Sequence, residues 1–308
     1  TLRNAENVVV DKVNYQDNFP WPVGADGGSD DDNDLSMELM HPGLDNGLSG
    51  HWRTSVEPTP GKVNSVLTEN PPPAVRQVEH LPDQPKSGET VVISAKATDV
   101  DGVARVMLEL QGLKPGEYLR LSDDAYASSW ESVPMNDDGT GGDAVAMDDI
   151  YSATVPVAIV AHRSLVRYRV VAEDAVGNVV RLPYEDDPSA NRAFFVYDGV
   201  PAWSGSPEPG SVPKRTFTSE EMTVLPVYHL IADNADVERS QYRQGSENVR
   251  FLGTMVYDGR VYDHVEFRVR GEFSTYQSGK NKWKFFFNRG NSFRAKDNYR
   301  IAYPGGFR

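Results

Sequence analysis

Cysteine is absent from the 308-residue chain. That removes a disulfide framework, a thiolate nucleophile and any Cys-ligated zinc, without assigning a compartment. No stretch approaches the roughly 20 consecutive apolar residues that a membrane span needs, and no leader with a charged start and apolar centre is visible. Basic residues are in deficit: Lys and Arg total 31 against 45 Asp and Glu, for a net charge of −14. A polyanionic backbone would be repelled, which argues against nucleic-acid binding. The surplus of acid fits either solubility or metal binding. The six histidines are scattered with no His-x-x-x-His spacing, so a zinc hydrolase has no support. A Gly-x-Ser-x-Gly elbow and a phosphate-cradling Gly-rich loop are both missing.

Helical periodicity is scarce too. In its place, short alternating runs bounded by Gly, Pro, Asn and Asp recur, the pattern of antiparallel sheets. Two Pro-rich stretches divide the chain. Asn70-Pro71-Pro72-Pro73 and the segment 201–213 both read as stiff extended linkers. The expected organisation is therefore a β domain over 1–66, a β-sandwich over 75–198, a linker over 199–217 and a further β-rich domain over 218–308.

In the middle segment strands are predicted at 90–98, 103–110, 118–121, 150–157, 165–172, 179–182 and 193–197. The 165–172 run alternates cleanly, with Val166, Tyr168, Val170 and Ala172 on one face and Arg167 and Arg169 on the other. That predicts one buried and one wet face, as in a two-layer sandwich. Seven or so short strands in about 120 residues fit an immunoglobulin or fibronectin-type fold. Asp101-Gly102 and Asp258-Gly259 read as hairpin turns.

The densest carboxylate cluster is Asn136-Asp137-Asp138-Gly139-Thr140-Gly141-Gly142-Asp143 followed by Asp148-Asp149. Calcium takes six to eight oxygens, which closely spaced Asp side chains and Gly-permitted carbonyls can supply. Asp137, Asp138, Asp143, Asp148 and Asp149 are the candidate ligands, although the spacing is not that of an EF-hand. An ordinary polar turn accounts for the same residues. Asp30-Asp31-Asp32-Asn33-Asp34 reads more simply as a solvated loop. Glycoside hydrolysis by paired carboxylates finds no pair placed across a cleft.

From residue 250 onward the chain turns locally basic. In residues 282–287, Lys282, Lys284 and Phe286 share one face, and Trp283, Phe285 and Phe287 fill the other. Lysines on such a strand can hold nucleotide phosphates, or they can simply form a wet outer face.

Three family resemblances follow from the motifs. Residues 1–64 resemble the end of a lamin-tail domain, through Val9-Val10-Asp11-Lys12-Val13-Asn14-Tyr15, Trp21-Pro22, Ser36-Met37-Glu38-Leu39, Asp45-Asn46, Trp52 and Thr59-Pro60-Gly61-Lys62-Val63-Asn64. The middle segment resembles the immunoglobulin-like sandwiches that follow such domains, through Met135-Asn136-Asp137-Asp138-Gly139, Asp149-Ile150-Tyr151-Ser152-Ala153 and Ala172-Glu173-Asp174-Ala175-Val176-Gly177-Asn178. The last 90 or so residues resemble the start of the CotH (spore coat protein H) kinase family. That resemblance is carried by Leu225-Pro226-Val227-Tyr228, Met255-Val256-Tyr257-Asp258-Gly259, Val261-Tyr262-Asp263, Arg268-Val269-Arg270-Gly271, residues 280–287 and Phe293-Arg294-Ala295-Lys296-Asp297-Asn298-Tyr299.

The expected fold class is mostly β: tandem immunoglobulin-like modules ahead of an incomplete kinase-like small lobe. The kinase resemblance implies phosphoryl transfer from ATP to protein, with Arg270, Lys282 and Lys284 near the nucleotide. It also implies a second lobe carrying the catalytic base and Mg²⁺ ligands, which phosphoryl transfer requires and this chain lacks. The chain opens at Thr1 inside a hairpin-like stretch and stops at Arg308, which reads as a piece of a longer parent. The expectation is thus a secreted or cell-surface, bacterial-type multidomain protein. Its partners would be other domains of the parent, surface proteins or polysaccharide, and its part seen here would bind or scaffold without catalysing. The unfinished last segment is expected to be the least stable.

Overall fold

The computed structural model describes residues 1–16, 19–24, 35–206, 210–224, 226–241, 249–270, 282–288 and 291–293. The run 30–34 lies outside them. Alternating apolar and polar residues give a mostly β architecture, and every strand pair described is antiparallel. The amino-terminal piece holds two small hairpins, β1 (Leu2–Arg3) with β2 (Val9–Asp11) and β3 (Met37–Leu39) with β4 (Trp52–Thr54). Glu38 on β3 is buried, and it accepts hydrogen bonds from the Ser65 backbone N–H (2.7 Å) and hydroxyl (2.8 Å). This ties the 59–65 loop to the hairpin.

Two sheets form the middle of the molecule. One is β5 (Ala74–Leu81), β6 (Val92–Thr98) and β9 (Ile150–Thr154), in the order β5-β6-β9. The other runs β11-β10-β7-β8, built from β7 (Val103–Leu113), β8 (Glu131–Met135), β10 (Leu165–Asp174) and β11 (Val179–Leu182). β12 (Arg192–Phe195) pairs with the first half of β10 on the edge that β11 takes along the second half. Side chains from both sheets, among them Ile93, Ala95, Leu108, Val166, Tyr168 and Phe194, fill one shared core. The two sheets therefore face each other as a sandwich.

Sequence reading and structure part at several points. Residues 118–121 form no strand; Tyr118 and Leu119 instead lie in a loop against the Arg167 guanidinium, which uses the Leu119 carbonyl. β5 was not anticipated. Its apolar positions Val75 and Val78 are both buried yet differ in parity, because Gln77 adopts φ 51° in a bulge that slips the register between Arg76 and Glu79. Asp101-Gly102 turns the chain between β6 and β7, which belong to opposite sheets, so it is an inter-sheet corner rather than a hairpin. Pro71 and Pro73 are buried rather than solvated. At the ends of the 201–213 stretch, β13 (Trp203–Gly205) pairs with β14 (Arg215–Phe217), so the stretch closes a small hairpin.

The carboxy-terminal sheet has the order β15-β16-β17-β18, from β15 (Tyr228–Ile231), β16 (Phe251–Tyr257), β17 (Arg260–Arg270) and β18 (Lys282–Phe286). α3 (Asn234–Gln241) connects β15 towards β16; the shorter helices α1 (Asp124–Ser128) and α2 (Ser219–Met222) lie earlier in the chain. Asp258 and Gly259, at φ 51° and 76°, make the two-residue β16–β17 turn, as Asp-Gly favours where both central residues need positive φ. Phe251, Met255, Tyr262, Val265, Phe267, Phe285 and Phe293 form this sheet's own core.

Candidate functional site

The face of β10 expected to be wet is covered. Arg167 is 0% exposed and Arg169 is 7% exposed. A β-bulge on β17 explains what covers them. Gly253 opposes Val265 and Met255 opposes Tyr262, so Thr254 faces two residues, Asp263 and His264, with His264 at φ 53°. The extra residue lets Tyr262 and Val265 reach the same core although their parity differs. It also turns the Asp263 and His264 side chains away from that core and onto the sandwich.

There Arg167 donates from Nε to Asp263 Oδ2 (2.7 Å) and from Nη2 to Oδ1 (3.1 Å), a bidentate ion pair. Its Nη1 donates to Gln111 Oε1 and the Leu119 carbonyl, both at 3.0 Å. Asp263 also accepts from Asn191 Nδ2 (2.8 Å), the Thr254 hydroxyl and the His264 backbone N–H. The Arg167 guanidinium lies over the Tyr118 ring, and Arg169 lies over Trp130 at 3.9 Å from the centroid. A second ion pair, Arg120 Nη2 to Asp236 Oδ2 at 2.6 Å, ties the same loop to α3. Burial pushes the Asp263 carboxyl up, but the Arg167 charge, His264 and the donated hydrogen bonds outweigh it and hold the group far below the usual carboxylate range.

The same network fixes the tautomer of His264. Asn191 must turn its NH₂ to the Asp263 carboxylate, so its Oδ1 can only accept. It accepts from the Tyr126 hydroxyl and from His264 Nε2, each at 2.8 Å. His264 therefore carries its proton on Nε2, and Nδ1 is a bare acceptor. That nitrogen is buried without a hydrogen-bond partner among the described residues. Burial lowers the imidazole pKa, as do the Arg167 and Arg169 charges; Asp263 offsets them only in part, and the value falls to about 4.

Beside this junction lies a cleft of about 600 Å³, lined by β5, the 183–193 segment, the β16–β17 turn and residues of the amino-terminal piece. His264, Asn191 and Asp263 are among its lining residues; Glu79, Asp83, Asp187 and Asp258 contribute carboxylates, and Arg192 and Arg260 contribute guanidinium groups. His80 faces it with both ring nitrogens engaged, to the Tyr168 hydroxyl (3.0 Å) and the Asp83 carbonyl (3.3 Å).

Of the five acidic-loop candidates, Asp137, Asp143 and Asp148 come together, each offering an oxygen within 4.8 Å of the others. Asp138 stands apart, accepting from its own neighbour Thr140 at N (2.9 Å) and Oγ1 (2.7 Å). Asp149 faces Lys96 Nζ at 3.9 Å. Asp137 accepts from the backbone N–H groups of Asp148 and Asp149, which folds the loop back on itself. A hard divalent cation fits the three convergent carboxylates and the neighbouring carbonyls in donor type.

The nucleotide candidates fall on adjacent strands. Arg270 pairs with Lys282, and Arg268 with Lys284, across the β17–β18 ladder. On the face away from the sheet's core, Arg250, Lys284 and Arg268 gather around Phe286, at 3.9, 4.7 and 5.9 Å from its ring centroid. Glu266 pairs with Arg250 on the same face. Trp283 and Phe287 pack on the core side.

The sequence matches no protein-family model and no curated protein. The functional reading therefore rests on geometry.

The junction was missed because Arg167 and Asp263 are 96 residues apart in sequence and each alone reads as a surface charge. One signal was available. The apolar parity slips between Tyr262 and Val265 across Asp-His, and such residues tolerate the left-handed backbone of a bulge more readily than most.

Proposed function

We propose that this chain is a binding and scaffolding array of β modules from an exported, surface-type protein. In this reading the sandwich is immunoglobulin-like and serves as a rigid mount for the carboxy-terminal sheet. The observation that carries it is the buried Arg167–Asp263 pair. Flexible linkers suit modules that act independently. A desolvated bidentate pair, its carboxylate also accepting from Asn191 and Thr254 and its guanidinium also donating to Gln111, instead holds one module at a set orientation to the next. The carboxy-terminal sheet, resembling the CotH kinase small lobe, would present Lys284 and Arg268 beside Phe286 towards nucleotide phosphates supplied in a longer parent. ATP with Mg²⁺ is the ligand that resemblance implies. By that resemblance the catalytic base and Mg²⁺ ligands belong to a second lobe, so binding rather than transfer is the role assigned here to this chain. Calorimetric titration of MgATP into the chain, and into one extended at its carboxyl end, tests this. Binding by the extended chain that is lost in Lys284→Ala supports the kinase-like reading; no binding by either leaves scaffolding alone.

A second reading has its own observation. Convergence of Asp137, Asp143 and Asp148 favours a calcium-bound loop that stiffens the β8–β9 end of the sandwich, as in an adhesive module. Addition of EDTA should lower the melting temperature, and an unchanged value would remove calcium from the account.

A further inference from the structure

We propose that the joint between the sandwich and the carboxy-terminal sheet is an acid-operated latch, opened by protonation of His264 while the sandwich keeps its fold. This goes beyond the scaffold reading and rests on it only for the existence of the joint. The sandwich and the sheet each have an apolar core of their own, and the pairs Arg167–Asp263 and Arg120–Asp236 join them. A polar joint of this kind can open without exposing either core. His264 sits inside it at 6% exposure. Its Nε2–H is spent on Asn191 Oδ1, and Nδ1 is a buried acceptor with no hydrogen-bond partner among the described residues. A proton added at Nδ1 would make that atom a buried donor with nothing to accept from it.

The added charge would also be badly placed. Arg167 and Arg169 of β10 both disfavour a cation on the ring. Asp263 of β17 lies 3.4 Å away, from Oδ2 to Nε2, but Arg167 already pairs with both of its oxygens. The loop contributes the Tyr118 ring, α1 the Tyr126 ring and the 183–193 segment the Asn191 amide, none of them anionic. The closed joint therefore accepts only the neutral imidazole, whereas in the open form the ring titrates as an ordinary histidine. Closure is favoured above pH 6.5 and loses that advantage as the pH falls towards about 4. Over the span from pH 7.5 to pH 5 the closed-to-open ratio drops about 30-fold. Other histidines nearby tolerate a proton. His80 has an acceptor at each ring nitrogen, the Tyr168 hydroxyl and the Asp83 carbonyl, so protonation breaks no hydrogen bond inside the sandwich. His229 of β15 faces Arg163 and His162. It is only half-buried, against the Tyr197 and Phe195 rings, and solvent and those ring faces can take its charge.

The chain has no cysteine, so Val176→Cys and Val249→Cys, both at exposed positions, put one dye on the sandwich and one on the carboxy-terminal module. Single-molecule energy transfer between them is followed from about pH 7.5 to about pH 4.5, alongside the amide NMR signals of β6 and β9. Expected is one narrow efficiency peak at neutral pH, a second that grows as the pH falls, and sandwich amides that keep their positions. His264→Gln keeps a donor for Asn191 but cannot titrate, so it should shrink the second peak at least about tenfold at pH 5. His229→Gln should leave that peak in place. In the otherwise natural chain, ¹⁵N-histidine NMR should show His264 taking up its proton over the same interval, a reading that needs no substitution at the joint. The latch is overturned by no second peak down to about pH 4.5, an equal peak in His264→Gln, its loss in His229→Gln, or a His264 ring that stays neutral while the peak grows. Loss of the sandwich amides together with the growth of the peak also overturns it, as ordinary acid unfolding. A broad spread of efficiencies already at neutral pH would remove the joint itself, and the scaffold reading with it.

Discussion

Replacing Arg167 with Met keeps the apolar stem of the side chain while deleting the guanidinium that Asp263 faces. Asp263 would keep Asn191 Nδ2, the Thr254 hydroxyl and the His264 N–H, but its carboxylate would stay buried without a cation. Removing one partner of a buried pair costs about 3–5 kcal/mol. Gln111 Oε1 and the Leu119 carbonyl also lose their donor, at about 1–3 kcal/mol for each acceptor that water does not reach. The expected loss is therefore at the upper end, about 5 kcal/mol. Asp263→Leu alone should cost a similar amount by stranding the guanidinium. The double variant Arg167→Met/Asp263→Leu leaves no buried charge, and should be milder than the sum of the two by at least about 2 kcal/mol. Urea unfolding of the four proteins, followed by tryptophan fluorescence, measures the cycle. A loss below about 1 kcal/mol in either single variant, or simple additivity, would mean that the pair is solvated and does not hold the modules together.

Acid should weaken the fold through His264. Its folded pKa of about 4 lies below the ordinary histidine value of 6.5, so below pH 6.5 the unfolded state takes up the proton more readily. Stability present above pH 6.5 is lost as pH falls towards 4, by about 3 kcal/mol. His264→Gln should flatten that part of the pH profile in equilibrium unfolding, and an unchanged slope would count against it. In the acidic loop, calcium at about 100 times its Kd should add about 2.7 kcal/mol, roughly 5–10 °C in melting temperature. Asp143→Asn should abolish that gain in a thermal-shift assay. Finally, a Cβ at Gly50 would stand 2.7 Å from Ala74 Cα. Gly50→Ala should then cost about 1–3 kcal/mol and speed proteolytic release of the amino-terminal piece.

Much of the sandwich was legible because its strands obey period-two alternation. The 165–172 run became β10, 179–182 became β11, and Asp258-Gly259 became the expected turn. What failed did so for physical reasons. Alternation reports which side chains share a face, not whether a second module covers the polar one, so Arg167 and Arg169 read as solvated. Bulges at Gln77 and His264 broke the parity that strand recognition relies on. The acidic loop was legible as a cluster, but spacing alone could not separate Asp137, Asp143 and Asp148, which converge, from Asp138 and Asp149, which turn to Thr140 and Lys96. The cleft had no sequence signature, since its walls come from segments far apart in the chain.

The sandwich and the carboxy-terminal sheet are locked together through Arg167 and Asp263. Native-state hydrogen exchange on the amides of β10 and β17 tests it most directly, in the natural chain and in Arg167→Met. If the lock holds, core amides of both strands exchange with the same free energy and the substitution lowers both by a similar amount. If β17 amides exchange far faster than β10 amides in the natural chain, and the substitution leaves β10 untouched, the last sheet is the weak, independent segment that its sequence suggested and the lock does not exist.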